Sequence, residues 1–85
     1  MSSDLISAAQ LPPGGCGLII ELRHPESLRI RLMELGIVPG AKLLRKFTAP
    51  SGSPIAFEAA GAVTAIRKRD AVQILVREVQ APWTP

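Results

Sequence analysis

Residues 25–40, PESLRIRLMELGIVPG, contain the signals for a helix and for the way in which it ends. Proline suits the first position of a helix, where its missing N–H costs nothing, so Pro25 predicts the helix start. Leu28, Leu32 and Leu35 recur at the spacing of one helical face. We therefore expect a short amphipathic helix that packs this face against a core.

The end of this stretch predicts how the chain leaves the helix. Gly36 is typical of a left-handed residue that closes a helix, because glycine adopts a positive φ without steric cost. Pro39 followed by Gly40 is the pair that a type II turn requires at its two central positions. The three residues are thus interpreted as structural turn formers.

Outward from the helix, short alternating segments predict strands separated by Gly- and Pro-containing turns. The expected strands cover residues 17–23, 42–48, 55–59, 62–66 and 72–78. Residues 7–11 fit either a short strand or a turn of helix. Five short strands and one helix favour a mainly β fold, a small barrel or sandwich.

Alternation also predicts which side chains face the core. The inward set is Leu18, Ile20 and Leu22 in the first strand, Ile55 and Phe57 in the third, and Val72, Ile74 and Val76 in the last. Phe47 is interpreted as a core residue as well, because it lies within a strand. Asp70 follows a basic turn and is a candidate cap for a short helical turn.

Composition limits the chain to one small globular domain. It has 85 residues, of which 47% are apolar and 20% charged, with a net charge of +3. This is too apolar for a disordered chain and too short for two domains. We expect a loose N-terminus over residues 1–5, a domain over 6–79 and a flexible tail over 80–85 that contains Trp83.

The same counts exclude several classes of protein. No segment has the roughly 18–20 apolar residues that span a bilayer, and no secretory signal begins the chain, so a cytoplasmic protein without membrane insertion is expected. One Cys and one His cannot form a disulfide or a Cys₄ or Cys₂His₂ zinc site. Phosphate-binding glycine motifs are absent from the sequence, and no nucleophile–base pair is visible.

Cys16 and His24 are the only soft metal ligands, and both are weak candidates. They bracket the first predicted strand, and eight residues of strand separate them by roughly 26 Å. Metal–ligand bonds of about 2.0–2.3 Å cannot join them to one ion without bending that strand. We therefore expect no cofactor, and interpret Cys16 as a loop residue and His24 as a helix-entry residue.

Four sequence motifs in order resemble the FeoA family. Residues 31–40 are similar to its L-x-x-L-G-hydrophobic-x-P-G core, and residues 50–55 to its P-x-G-D-P-hydrophobic hairpin. Residues 11–14 resemble its L-x-P-G entry, and residues 66–76 its closing segment. The match covers roughly residues 6–79. The hairpin departs from the family pattern at Ser53, where an Asp is frequent.

The resemblance implies an SH3-like β-barrel of about five strands with one short helix after the first strand. It further implies a non-enzymatic cytosolic accessory of bacterial ferrous iron uptake. The expected partner is a FeoB-like membrane permease with a cytosolic GTPase domain, whose activity or assembly the protein would modulate. Self-association stays an open alternative.

The helix and the hairpin are the expected contact sites for that partner. Five apolar residues within eight form a wide stripe for one buried face, so Ile30 or Met33 should stay exposed. The candidate partner-binding residues are Arg29, Ile30, Arg31, Leu32, Met33, Leu35, Pro50, Gly52, Pro54 and Arg67. Arg29, Arg31 and Arg67 are also candidates for an arginine supplied to the GTPase site.

A nucleic-acid-binding small barrel is the alternative function. Its basic surface would comprise Arg67, Lys68 and Arg69 with Arg29, Arg31, Lys42, Arg45 and Lys46. Such surfaces usually add exposed stacking aromatics, and this chain has few aromatic residues. Nucleic acid is therefore the less expected partner.

Overall fold

The computed structural model describes residues 5–79. The elements are β1 (Leu5–Ser7), a 3₁₀ turn (Ala8–Gln10), β2 (Cys16–Leu22), α1 (Glu26–Glu34), β3 (Lys42–Thr48), β4 (Ile55–Ala59), β5 (Ala62–Ile66), α2 (Lys68–Ala71) and β6 (Ile74–Val79). Of the predicted loose N-terminus, only Leu5 is described, and it pairs with Arg77. The predicted tail over 80–85 lies outside the described residues.

The strands form one antiparallel sheet of six in the order β1-β6-β2-β3-β4-β5. The strands β2 to β5 follow one another across the sheet, and α1 lies in the connection between β2 and β3. The last strand returns to pair with β2, and β1 pairs with its far side. The five predicted strands are all present. The open segment 7–11 contains the 3₁₀ turn Ala8–Gln10, and β1, just before it, adds a sixth strand.

The core lies on one face of this curved sheet. It contains residues from every strand except β1, together with the 3₁₀ turn and one face of α1. The fully buried large side chains in it are Leu11, Ile19, Ile37, Leu43, Ile55, Phe57, Ile74 and Val76. Gly17 lies above this core, where an added Cβ would stand 2.8 Å from Val76. The small residue therefore leaves room on β2 for the Val76 side chain of β6.

The predicted inward face of β2 is partly wrong. The register with β6 shifts between Ile19 and Glu21, which marks a bulge. A bulge adds one residue to a strand and reverses the phase of side-chain alternation. Ile19 is consequently buried on the core side before the bulge and Leu22 after it, while Leu18 and Ile20 are only half-buried.

Two further inward assignments are wrong. Val72 lies at the C-terminal end of α2, before β6 begins, and its side chain is 49% exposed. Phe47 is 64% exposed, because a second register shift, between Arg45 and Phe47, turns it to the outer face. Phe57, in contrast, is buried as predicted.

The helix, its end and the turn follow the predicted order. Pro25 is the N-cap residue, one position before the first helical residue. Gly36 has φ +89°, and Gly40 has φ +91°. The Ala41 N–H donates to the Val38 carbonyl at 3.0 Å, which closes a turn with the hydrogen bond and the positive φ of type II.

Arg45, predicted as part of a basic surface, is a structural residue. Its guanidinium donates to the carbonyls of Ala9 at 3.0 Å and Leu11 at 2.6 Å. The same group donates to the Thr48 hydroxyl at 2.6 Å. Since guanidinium presents its donors in a fixed fork, Arg45 holds the 3₁₀ turn against β3.

Candidate functional site

The outward face of α1 carries exposed apolar side chains. Ile30 is 48% exposed and Met33 43% exposed, whereas Leu32 is 4% exposed and packs in the core. Residues advance by about 100° around a helix, so the two exposed residues lie on the side that faces away from Leu28 and Leu32. The exposure predicted for Ile30 and Met33 is thus present on the surface of the domain.

The remaining predicted helix residues surround this apolar face. Arg31 is exposed and Arg29 is half-buried. Leu35 follows the last helical residue and is 42% exposed, so its assignment to the buried face is wrong. The helix ends one residue before Leu35, and the chain turns there.

The hairpin and Arg67 come together at a second place. The Lys68 N–H, at the start of α2, donates to the Ser53 hydroxyl at 3.1 Å. The hairpin that contains Pro50, Gly52 and Pro54 is therefore fixed beside Arg67. The sequence did not predict this contact, because 15 residues separate its partners.

Arg67 is exposed but already has one partner. Its Nε donates to Asp70 Oδ2 at 3.3 Å, and its side chain is 62% exposed. The Asp70 side chain is only 13% exposed, so this ion pair is exposed on the arginine side alone. Asp70 lies inside α2 and accepts from Arg67, while Arg67 itself is the N-cap residue.

His24 and Cys16 do not converge. His24 is buried, and its Nε2 donates to the Asp70 carbonyl at 2.7 Å, which joins the entry of α1 to α2. Its Nδ1 finds no hydrogen-bond partner among residues 5–79. Cys16 is the first residue of β2, not a loop residue, and lies at the opposite end of that strand.

The Cys16 thiol is fully buried. Burial raises the pKa of this thiol above its ordinary value, because the thiolate would lose its hydration. The positive charge of Lys42 and a hydrogen bond from the Gly17 N–H act in the opposite direction and only reduce the shift. The neutral thiol is thus the favoured form, which makes Cys16 a poor nucleophile and a poor metal ligand at neutral pH.

A groove that the sequence did not predict lies between the exit of α1 and the outer face of the sheet. Its volume is about 1030 Å³. Among its lining residues are Cys16, Val38, Leu44, Lys46, Glu58 and Ala60. Lys46 and Glu58 form an ion pair of 3.4 Å across neighbouring strands. Nonlocal strand pairing assembles the groove, so no local pattern reveals it.

Within residues 5–79, no three His, Cys, Asp or Glu side chains come together to hold a metal ion. No helix in this part of the chain is long and apolar enough to cross a membrane. The exposed features are instead an apolar helix face, a basic turn beside a hairpin and an apolar groove. Together the fold and these surfaces define a small SH3-like β domain.

The chain belongs to the FeoA family, which is associated with ferrous iron transport: the FeoA domain model matches residues 6–78. The structure is similar to that of the FeoA protein from Chlorobium tepidum, at 29% identity and a TM-score of 0.85, covering 92% of this chain and 74% of that one. A search of curated proteins finds no match.

Two more distant structures share the fold alone. One is Stenotrophomonas maltophilia FeoA with zinc, a prokaryotic SH3 domain protein, at 23% identity and a TM-score of 0.68, covering 84% of this chain and 88% of that one. The other is a manganese-dependent transcriptional repressor at 18% identity and a TM-score of 0.76, covering 92% of this chain and 38% of the repressor.

Proposed function

We propose that this protein is a non-enzymatic cytoplasmic accessory of ferrous iron uptake that docks on the cytosolic GTPase region of a FeoB-like permease. The observation that carries the proposal is the outward apolar face of α1, where Ile30 and Met33 are close to half exposed. Large apolar side chains at the centre of a protein contact supply most of its affinity. Membership of the FeoA family supports the pathway.

The contact would have a helix and a hairpin component. Ile30, Met33 and Leu35 form the apolar part, and Arg29 and Arg31 flank it. Leu32 supports the helix from the core. The hairpin loop with Pro50, Gly52 and Pro54, next to Arg67, is the second component.

Regulation by this docking requires a difference in affinity between two states of the permease. A protein that binds the GTP-bound and GDP-bound forms equally shifts neither population, however tightly it binds. We therefore expect the protein to shift the permease between its nucleotide-bound forms, or to change its assembly. Arg29, Arg31 and Arg67 are the side chains that could also reach into a GTPase site in trans.

The test is a calorimetric titration of this protein into the cytosolic GTPase domain of the matching permease, loaded with GDP or a GTP analogue. We expect tighter binding to one form. Replacing both Ile30 and Met33 by Asp should weaken binding at least tenfold, about 1.4 kcal/mol, without unfolding the domain. Val72→Asp is the matched control, since Val72 is equally exposed on a different element.

Two outcomes would overturn parts of this proposal. If Ile30→Asp with Met33→Asp binds as the unchanged protein does, the helix face is not the contact. If replacing Arg29, Arg31 and Arg67 together by Ala leaves a measured GTPase stimulation unchanged, no arginine is supplied in trans. Binding that is equal in both nucleotide forms would leave assembly as the role.

One observation favours the alternative of nucleic-acid binding. Phe47 is exposed on the outer sheet face in register with Ala56, which pairs with Ala65 just before the basic residues of α2. An exposed aromatic near a basic cluster is typical of surfaces that stack bases. This function predicts an affinity for RNA that falls steeply with salt and depends on Phe47, not on Met33.

A further inference from the structure

The groove between the exit of α1 and the outer face of the sheet has an apolar floor. Leu44 of β3 is paired with Cys16 of β2 and with Glu58 of β4, so the three side chains share the outer face. Val38, which follows the helix, lines the groove as well. Leu44 and Val38 are only half-buried, so an apolar group placed on them would be removed from water together with their exposed surface.

Basic side chains outnumber acidic ones around this floor. The charged residues that line the groove are Lys42, Arg45, Lys46 and Glu58. Glu58 is paired with Lys46, at 3.4 Å between Oε1 and Nζ. Arg45 donates to two carbonyls and one hydroxyl, which carry no charge that would neutralise it. Burial raises the pKa of the Cys16 thiol and the positive charge of Lys42 opposes that rise, so this charge acts inside the groove. The lining therefore has an excess of positive charge.

The basic and apolar side chains of the lining follow one another along β3. In an extended strand, every second residue points to the same face, at intervals of roughly 6.6 Å. Lys42, Leu44 and Lys46 therefore form a line of cation, apolar group and cation. Lys46 stays on this face although the register shifts beside it, because its Nζ contacts Glu58, which is opposite Leu44. An extended peptide has the same interval between its side chains, so an acidic, an apolar and an acidic residue at every second position would match this line.

The groove also leaves space for the backbone of such a peptide. Gly14, Gly40 and Gly61 belong to its lining. A Cβ added at any of the three would meet no atom of residues 5–79 within 4 Å. Glycine lets another backbone approach closely where a side chain would stand in the way. The open glycine positions therefore favour a polypeptide as the occupant.

We propose that this groove binds an extended acidic segment of another protein, in which an apolar side chain lies between two acidic ones. The apolar side chain packs on Leu44 and Val38, and the carboxylates lie towards Lys42 and Lys46. Complementary charge selects the partner and speeds its encounter, while burial of the apolar side chain contributes affinity. No residue of α1 lines the groove, so the proposal does not depend on the docking of a permease on the helix face.

The test is a titration of synthetic peptides into the isotope-labelled protein, followed by the backbone amide signals in nuclear magnetic resonance. The probe is Ser-Asp-Ser-Leu-Ser-Asp-Ser with acetylated and amidated ends. One control peptide has Lys in place of both Asp, and the other has Ser in place of Leu. We expect the probe to bind about tenfold more tightly than either control, with the largest signal shifts at Val38, Leu44 and Ala60.

Variants distinguish the groove from a general attraction between opposite charges. Lys42→Ala should weaken binding of the probe about two- to fivefold, the usual effect of one exposed charge pair. Lys68→Ala is the matched control, because it removes the same charge from α2, outside the groove, and should leave the affinity unchanged. Glu58→Gln should strengthen binding by a similar factor, since it removes an acidic group from the lining and leaves Lys46 to the peptide.

Several results would overturn the proposal, and the peptide controls do so without any variant that must fold. Equal binding of the probe and of the peptide without Leu would mean that charge alone attracts it, as would equal losses in Lys42→Ala and Lys68→Ala. Signal shifts confined to α1 or α2 would place the acidic segment elsewhere. Laurate binding in the groove more tightly than the probe would make it a fatty-acid site. Groove signals that move with protein concentration alone would assign it to a second copy.

Discussion

At the scale of single residues, Gly36 and Gly40 share a backbone conformation but not their surroundings. Both have a φ near +90°. A Cβ on Gly36 would stand 2.5 Å from the Cβ of Ala60, whereas a Cβ on Gly40 meets nothing within 4 Å. The two positions therefore separate the cost of a left-handed backbone from the cost of a steric clash.

Replacing Gly40 by Ala should lower the free energy of unfolding by about 1–2 kcal/mol, the cost of a left-handed Ala. Gly36→Ala should lower the free energy of unfolding by about 1–3 kcal/mol more than Gly40→Ala does, because α1 must move away from the turn between β4 and β5. Urea denaturation of both variants measures the difference. Equal losses would mean that Ala60 moves aside without cost.

The buried Cys16 thiol makes stability depend on alkaline pH. Its pKa is raised in the folded protein above the ordinary value of 9.0, so the folded state favours the neutral form. The stabilising contribution is complete below about pH 9 and is lost as pH rises through the raised pKa. We expect the free energy of unfolding to fall in that range.

Cys16→Ala removes this titration. The difference in unfolding free energy between the variant and the unchanged protein should be constant below pH 9 and should shrink above it. A difference that stays constant up to pH 11 would contradict the prediction.

At the scale of elements, Ser53 joins the hairpin to α2. Its hydroxyl accepts from the Lys68 N–H, one of the N–H groups that a helix start leaves without a helical partner. Ser53→Ala should lower the free energy of unfolding by about 0.5–1 kcal/mol, as the loss of other helix caps does. Thermal or urea unfolding measures this change.

Ser53→Asp is the matched variant for this cap. A carboxylate keeps the acceptor and adds a favourable charge at the helix start, next to Arg67 and Lys68. We expect stability equal to or above that of the unchanged protein, decreasing with added salt. An Asp variant as unstable as Ser53→Ala would show that the hydroxyl bond is not what stabilises α2.

Elements whose signals are local could be predicted from the sequence. The helix start at Pro25, the left-handed Gly36 and the turn at Pro39-Gly40 each depend on the backbone preferences of one or two residues. These preferences hold wherever the segment lies in the fold. Their positions in the structure follow the prediction to within one residue.

Elements whose geometry depends on a distant partner could not be predicted from the sequence. The bulge that buries Ile19 in place of Ile20 exists because β2 must fit the register of β6, which lies far along the chain. The same reason applies to Phe47, which a register shift against β4 turns outward. The groove combines residues of β2, β3 and β4 with the exit of α1, so only the assembled fold shows it.

At the scale of the whole molecule, α1 should be the least stable regular element after β1. The strands β2, β3, β4 and β6 each have two hydrogen-bonded neighbours, whereas α1 is held to the core through Leu32 and, in part, Leu28. Segments with few buried apolar contacts open below the free energy of global unfolding. The helix that carries the proposed docking face would thus adapt to a partner.

Native-state hydrogen exchange measures the local stability of α1 relative to that of the strands. The amides of α1 are expected to exchange through openings of lower free energy than those of β2 and β6. Leu32→Ala should lower the protection of α1 more than that of the sheet, since it removes the main anchor of the helix. Equal protection of helix and sheet would mean that the domain opens only as one unit.

The position of β5 at the edge of the sheet has a consequence for the behaviour of the protein at high concentration. Ala62, Val63 and Ala65 of this strand are exposed. As an edge strand, β5 has one side without a neighbouring strand in the sheet, where another strand could pair with its backbone. Such edges seed aggregation unless charge or shortness prevents it. Here the strand has only five residues, and Arg67, Lys68 and Arg69 follow it at once, so like-charge repulsion keeps two edges from joining. Crowded solutions of the protein should accordingly stay clear at low ionic strength and turn cloudy when salt screens these three cations.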